Sequence, residues 1–247
     1  LKISIITSTF NSAKTVADTL DSVRNQTHRD IEHILIDGGS NDNTNRIIEQ
    51  YPHVSTHLSE KDNGIYDGLN KGLKLATGDF VGFLHSDDYF TSNSVIQELV
   101  EFLAANPKMD GAYGNIVFVE DKGEKIIRKY NSEKWRFNDF KKGKMPAHPS
   151  FYARKSVYEA YPFNLDYRIA ADFDQMLRCF SDEDLRFDYH GITTTCMRLG
   201  GASTDGIKPN LKINSEILSI CKANGLPTNL LRIYSKYPGR LIEFIRK

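Results

Sequence analysis

A chain of 247 residues is long enough for one large α/β domain, or for one domain with an appendage. Its 40% hydrophobic and 26% charged residues are those of an ordinary globular protein, and a formal net charge of zero gives no electrostatic case for nucleic acid as a partner. Cys179, Cys196 and Cys221 are widely spaced and odd in number, which excludes a disulfide framework or a CxxC zinc site. They read as buried thiols in a reducing compartment. No signal peptide opens the chain and no apolar run approaches the roughly 18 residues of a membrane span, so a cytoplasmic location is expected.

Residues 2–9 (KISIITST) predict a buried parallel strand that breaks at Phe10–Asn11–Ser12. Val16, Leu20 and Val23 then recur at helical spacing. Residues 31–36 predict a second strand, which runs into Asp37–Gly38–Gly39–Ser40–Asn41–Asp42–Asn43–Thr44 and then a helix over 45–50. A weaker third strand over 54–58 leads to Glu60–Lys61–Asp62–Asn63–Gly64 and a helix over 66–76, with Leu69, Leu73 and Ala76 on one side. Residues 80–84 predict a buried strand that ends abruptly in Ser86–Asp87–Asp88. This alternation predicts a parallel sheet with helices on both faces.

A helix over 94–106 is stopped by Pro107, and a strand over 111–121 turns at Lys122–Gly123 into a partner over 124–130. Residues 135–144 read as a charged surface loop, and 147–152, containing His148, as strand-like. A helix over 154–161 precedes another that buries Phe173, Met176, Leu177 and Phe180. A strand over 185–198 closes on Gly200–Gly201, read as a turn. Beyond Pro209 the chain reads as helical. Its last stretch mixes Leu230, Ile233, Leu241, Phe244 and Ile245 with Arg232, Lys236, Arg240, Arg246 and Lys247. Such a helix either docks on the domain or touches anionic lipid.

In open α/β sheets ligands bind at the carboxyl ends of the strands. The clusters at 8–11, 37–42, 60–64 and 86–88 all fall there. Adjacent carboxylates at the end of a buried strand raise each other's pKa, and a divalent cation beside a substrate phosphate removes that cost.

These segments, with Ile65–Tyr66–Asp67–Gly68–Leu69–Asn70–Lys71–Gly72 and Ala76–Thr77–Gly78–Asp79, follow in an order that resembles a family 2 glycosyltransferase of GT-A fold, of the kind that builds bacterial surface polysaccharides. The resemblance is dense over the first ninety residues and thins afterwards. It implies a Rossmann-like, mostly parallel central sheet with helices on both faces. Residues 1–208 would form the transferase domain (1–110 on the nucleotide-sugar side, 111–208 on the acceptor side) and 209–247 a C-terminal helical extension. It further implies inverting, non-processive transfer of a hexose or N-acetylhexosamine from a nucleotide-diphosphate sugar, with UDP the first choice and Mn²⁺ or Mg²⁺ as cofactor. The acceptor would be a saccharide or lipid-linked saccharide, met at the inner membrane face through the C-terminal helix.

Carried over by residue, Asp37 would take the base, aided by Ser8, Thr9 and Phe10. Asp87 would sit at the ribose, Asp88 at the metal, and Asp62 and Lys71 on the nucleotide side. Asp172 would be the catalytic base, with Asp174 competing; its place in the first turn of a helix favours the charged form. His148 would lie near the acceptor or diphosphate, or make a structural hydrogen bond. Packing or capping is expected of Asp67 and Asn70. The chain has no Gln-x-x-Arg-Trp motif, which argues against a processive synthase, and His85 replaces the small or polar residue more usual before the acidic pair. A sugar nucleotidyltransferase would carry a Gly-rich basic loop where Ser8–Ser12 stands, and a dehydrogenase would need GxGxxG. A non-catalytic nucleotide-sugar-binding module is the remaining alternative, against which Asp88 and Asp172 together argue.

Overall fold

Strand β1 (Ile3–Thr9) is buried at every position, as the middle of a parallel sheet covered on both faces must be. It lies between β2 (Ile31–Asp37) and β4 (Phe80–Phe83), with β3 (Val54–Ser59) outside β2, and all of these neighbours run parallel. The computed structural model describes residues 1–120, 125–199 and 207–237. The remaining strands are β5 (Tyr89–Phe90), β6 (Gly111–Val119), β7 (Ile126–Tyr130), β8 (Tyr152–Arg154) and β9 (Phe187–Arg198). The sheet runs β3-β2-β1-β4-β8-β6-β9-β5, with β7 added on β6. Strand β8 is antiparallel to β4 and β6, so the parallel half is joined to a mixed half through one short strand.

Alternation along the strands divides the core. On one face Ile3, Ile5, Phe80 and Leu84 pack with Val23 of α1 (Val16–Arg24) and with Val95, Ile96, Leu99 and Leu103 of α4 (Val95–Ala105). On the other face Ile6, Ile34, Ile36, Val81 and Phe83 meet α3 (Ile65–Leu75) and α6 (Ala171–Phe180). The same cluster includes Val157 of α5 (Lys155–Ala160), Ile217, Ile220 and Cys221 of α7 (Ile207–Ala223), and Ile233 of α8 (Leu230–Tyr234). The helices expected as an extension therefore share the core of the sheet. A Cβ on Gly72 would lie 2.4 Å from Ile6 Cγ2, so α3 sits against β1 as closely as a glycine permits.

Three expectations change. Residues 147–152 are not one strand: His148–Ser150 forms a 3-10 turn, favoured by a proline in its first turn, and only then does β8 begin. Residues 135–144 are not merely a surface loop, because the 3-10 turn Phe137–Lys142 fully buries Phe140. Strand β5 was not expected; two residues carry no periodicity, and its pairing with Cys196 and Thr195 is a tertiary event. The turns expected at Lys122–Gly123 and Gly200–Gly201, and the chain from 238 including Arg240, Leu241, Phe244, Ile245, Arg246 and Lys247, lie outside the described residues.

Candidate active site

The carboxyl ends of β1 to β4 form one polar rim, and Asp37 is its anchor. Asp37 is fully buried, and its two oxygens accept from six protein donors. These are the hydroxyls of Thr9 (3.0 Å), Ser59 (2.7 Å) and Ser40, the amide of Asn45 (3.0 Å), and the backbone N–H groups of Gly39 (3.1 Å) and Ser40 (2.9 Å). Burial alone would push this carboxyl up, but the bonds led by those of Ser40 and Ser59 hold it down at about 2. A base expected on Asp37 would have to displace one of six donors. The geometry makes Asp37 the residue that orders the loop, with Ser8 and Thr9 buried beside it and Phe10 63% exposed above. Asn11, at φ +50°, donates its N–H to Ser40 Oγ and accepts from Asn41 N–H, locking the first loop to the second.

Asp62 closes over this loop. A Cβ on Gly38 would lie 2.7 Å from Asp62 Oδ2, and one on Gly68 would lie 3.3 Å from the same oxygen and 2.8 Å from Ser8 Oγ. Two glycines therefore make room for one carboxylate next to Ser8. Lys71 ion-pairs with Glu60 at 2.8 Å, sits 3.8 Å from Asp67 and donates to the Lys61 carbonyl. It fastens α3 to the 60–64 loop and its ammonium is already matched by acids.

After β4 the chain turns through Ser86, Asp87 and Asp88. Ser86 Oγ lies 2.7 Å from Ser12 Oγ, and Thr19 Oγ1 donates to the Asp88 carbonyl at 2.6 Å. Asp88 is 1% exposed; its Oδ1 accepts a 3.3 Å bond from Arg198 N–H, and its Oδ2 is buried with no partner. Burial, then the neighbouring Asp87, raises its pKa well above the carboxylate range. An orphaned buried carboxylate oxygen is what a divalent cation would satisfy, so Asp88 fits a metal ligand. No group of three or more His, Cys, Asp or Glu side chains that could hold a metal occurs among the described residues. A cation here would therefore need most of its oxygens from a phosphate-bearing ligand and water. Arg198, at the end of β9, was missed by the sequence reading. It donates to the Asp87 carbonyl at 3.0 Å, pairs with Asp18 and lies over the Tyr89 ring at 5.0 Å. Nothing in the local sequence signals this contact, which spans 111 positions.

Asp172 is the second residue of α6 and is half-buried. Its Oδ1 accepts from its neighbour Phe173 N–H at 2.8 Å and lies 3.2 Å from Tyr66 OH, which also donates to the Ile169 carbonyl at 2.8 Å. Burial raises this carboxyl to about 6, overriding the Phe173 and Tyr66 bonds that pull it down. The helix-terminus expectation of a favoured charged form is thus reversed by desolvation. A carboxyl near 6 suits a general base at neutral pH. Asp174, the competitor, is 3% exposed, ion-paired to Arg178 at 2.8 Å and bonded by Asn224, so it is committed to structure.

His148 is 4% exposed, stacked on Phe83 with Phe163 at its edge, and its Nε2 has no partner. Burial, with His85 nearby, lowers its pKa to about 3, so the ring is neutral. It forms part of the floor beneath β4, not an exposed acceptor surface. Asn70 bonds the backbone of Phe163 in both directions, as the packing expectation holds, and Asp67 accepts from Asn63 N–H.

Residues 4–161 match the model of a family described as glycosyl transferase family 2. The chain belongs to that family. This family 2 glycosyltransferase is 30% identical over 206 residues to a PGL/p-HBAD biosynthesis glycosyltransferase of Mycobacterium tuberculosis, covering 81% of this chain and 78% of that one. It is 34% identical over 180 residues to an uncharacterised glycosyltransferase of the same species, covering 71% and 68%. Among solved structures, S. aureus TarS is similar with a TM-score of 0.67 at 19% identity, over 88% of this chain and 39% of TarS. The mannosyltransferase PcManGT from Pyrobaculum calidifontis, solved with GDP-Man and Mn²⁺, gives 0.59 at 15% identity over 98% and 80%. At these identities the likeness is one of fold, and the fold is GT-A.

Proposed function

We propose that this glycosyltransferase moves a hexose or N-acetylhexosamine, with inversion and without processivity, from a UDP-sugar to a saccharide or lipid-linked saccharide hydroxyl, in a metal-dependent reaction. The observation that carries the reading is Asp88, a buried carboxylate with an unpartnered oxygen at the end of the central strand. TarS has been solved with UDP and with UDP-GlcNAc, and the Pyrobaculum enzyme with GDP-Man and Mn²⁺, which supports a nucleotide-sugar donor and a Mn²⁺ or Mg²⁺ site of this kind.

In this reading the base of the nucleotide lies on Phe10 and the loop that Asp37 orders, bordered by Ser8, Thr9 and Asp62. Lys71 acts from the nucleotide side by holding the 60–64 loop. Asp87 meets the ribose, and Asp88 holds the cation against the diphosphate. The bound metal would supply electrophilic stabilisation of the leaving diphosphate. The acceptor oxygen attacks the anomeric carbon as the bond from that carbon to the phosphate oxygen breaks, and its proton passes to Asp172 Oδ2. Tyr66 and Phe173 occupy Oδ1 and so fix which oxygen is free. His148 supports the acceptor side from below, through the floor it shares with Phe83. Residues 1–110 are then the donor half and 111–208 the acceptor half, and the 209–247 extension carries most of α7, which packs against the catalytic helix.

No described helix is long and apolar enough to cross a membrane. Peripheral contact at the inner membrane face is supported by exposed Leu230, Leu231 and Tyr234 on α8 and by exposed Phe137 on the 3-10 turn that contacts α8, with Arg232, Lys141 and Lys142 on the same two elements. The deciding test of the function is calorimetric titration of UDP, GDP, dTDP and CDP, each with Mn²⁺ and with EDTA. Micromolar UDP binding that EDTA abolishes is expected. Binding of no nucleotide by the folded protein would refute the donor site.

A further inference from the structure

The backbone N–H groups of the turn that leads into α6 are aimed at a carboxylate from another helix. Glu216 of α7 accepts on Oε2 from Ile169 N–H at 2.9 Å and Ala170 N–H at 3.0 Å, and on Oε1 from Arg168 N–H at 3.3 Å. Ala170 is the N-cap of α6 and has no side chain to cap with; Glu216 takes the N–H groups of Ala170 and of the two residues before it, while the Phe173 N–H inside the helix goes to Asp172 Oδ1. The same turn presents the Ile169 carbonyl to Tyr66 OH, which in turn lies beside Asp172. Just past the C-terminal end of α7, Asn224 donates to Asp174 Oδ1 at 3.3 Å. Helix α7 and the residue that follows it therefore hold the chain on either side of Asp172, at the turn before α6 and within its first turn.

We propose that Glu216 is a positioning residue for glycosyl transfer, fixing the turn that carries Asp172 and placing a second negative charge beside it. This rests on Asp172 being the base. Among the described residues, the ionisable side chains that act on Asp172 are Tyr66 from α3 and Glu216 from α7, while Asp174 and Arg178 on its own helix are paired with each other. Burial does most to raise the Asp172 carboxyl, and the Glu216 charge acts in the same direction. Removing a fixed like charge lowers a neighbouring carboxyl. The base would then ionise at lower pH and be weaker.

Two full-length variants separate position from charge. Glu216→Gln keeps an oxygen for the Ile169 and Ala170 N–H groups and loses the charge; Glu216→Ala loses both. Asp172 is titrated directly by ¹³C NMR of its carboxyl, assigned by the signal missing in Asp172→Asn, and donor hydrolysis is followed against pH with UDP-GlcNAc, UDP-glucose and Mn²⁺. In Glu216→Gln the Asp172 midpoint moves to lower pH and the acid limb of kcat moves with it. In Glu216→Ala kcat falls on the order of ten- to a hundredfold, as misplacement of a catalytic group does, with UDP affinity unchanged. An unmoved Asp172 midpoint in Glu216→Gln, or an unchanged kcat in Glu216→Ala, overturns the proposal. Parallel loss of UDP affinity and kcat in Glu216→Ala would also overturn it, by showing a general structural cap. Normal turnover by Asp172→Asn, with the NMR midpoint still displaced in Glu216→Gln, would instead overturn the base assignment and leave the Glu216–Asp172 coupling in place.

Discussion

Asp37, Asp88 and Asp172 carry the same side chain into three surroundings. Asp37 is saturated with donors, Asp88 keeps a buried oxygen without one, and Asp172 sits half-buried with one oxygen occupied. The pH dependence of each follows. Asp37 is held below its unfolded value of 3.8, at about 2, so its contribution to stability is present above pH 3.8 and lost as pH falls through about 2. That contribution is about 2 kcal/mol at neutral pH. Asp37→Asn should therefore lower the urea midpoint at pH 7, and the gap from the parent should close between pH 4 and 2. Asp88→Ala should bind UDP no better with Mn²⁺ than with EDTA, as titration calorimetry would read. Asp172→Asn should keep UDP affinity and lose turnover by about 10²–10⁴-fold. On the proposed role of Asp172, kcat/KM of the parent should climb as pH rises through about 6, where its carboxyl ionises. Asp37 and Asp88 were legible in the sequence as residue types at or beyond strand ends, and Asp172 as one in the first turn of a helix. Their protonation was not, since it depends on Ser59, Asn45, Tyr66 and Arg198 arriving from distant elements.

At the scale of elements, the long periodic segments declared themselves and the short ones did not. Apolar spacing in 16–23 and 66–76 is enough to mark α1 and α3, while β5 and the turn at His148–Ser150 exist because neighbours offer them partners. The approach of α3 to β1 is likewise a packing fact hidden in a single glycine. Gly72→Ala would place its Cβ 2.4 Å from the fully buried Ile6. Overpacking of about 1–3 kcal/mol should outweigh the gain of up to about 1 kcal/mol in helix propensity. A lower urea midpoint is expected, together with weaker UDP binding, because α3 carries Gly68 against Ser8 and Asp62. An unchanged midpoint would mean that the helix can back away from the sheet.

Across the whole molecule the charge sums to zero, so any attraction to an anionic surface has to be local. The exposed apolar side chains of α8, Leu231 at 84% above all, stand beside Arg232 and the 3-10 turn that carries Lys141 and Lys142. Leu231→Glu should reduce co-sedimentation with vesicles of phosphatidylglycerol and phosphatidylcholine while leaving thermal stability and UDP binding unchanged. Equal sedimentation of parent and variant would refute α8 as a lipid-binding surface. The sequence by itself determined the α/β alternation, the family and the rim of acidic loops, because strand periodicity and strand-end chemistry are local properties. Only the tertiary structure decided that Asp174 is structural, that Asp37 is saturated and that α7 and α8 share the core beside the turn that leads into α6. Asp37 collects donors from as far as Thr9, 28 positions back, Asp174 is bonded by Asn224 50 positions on, and Glu216 reaches Ala170 across 46, separations that no local pattern encodes.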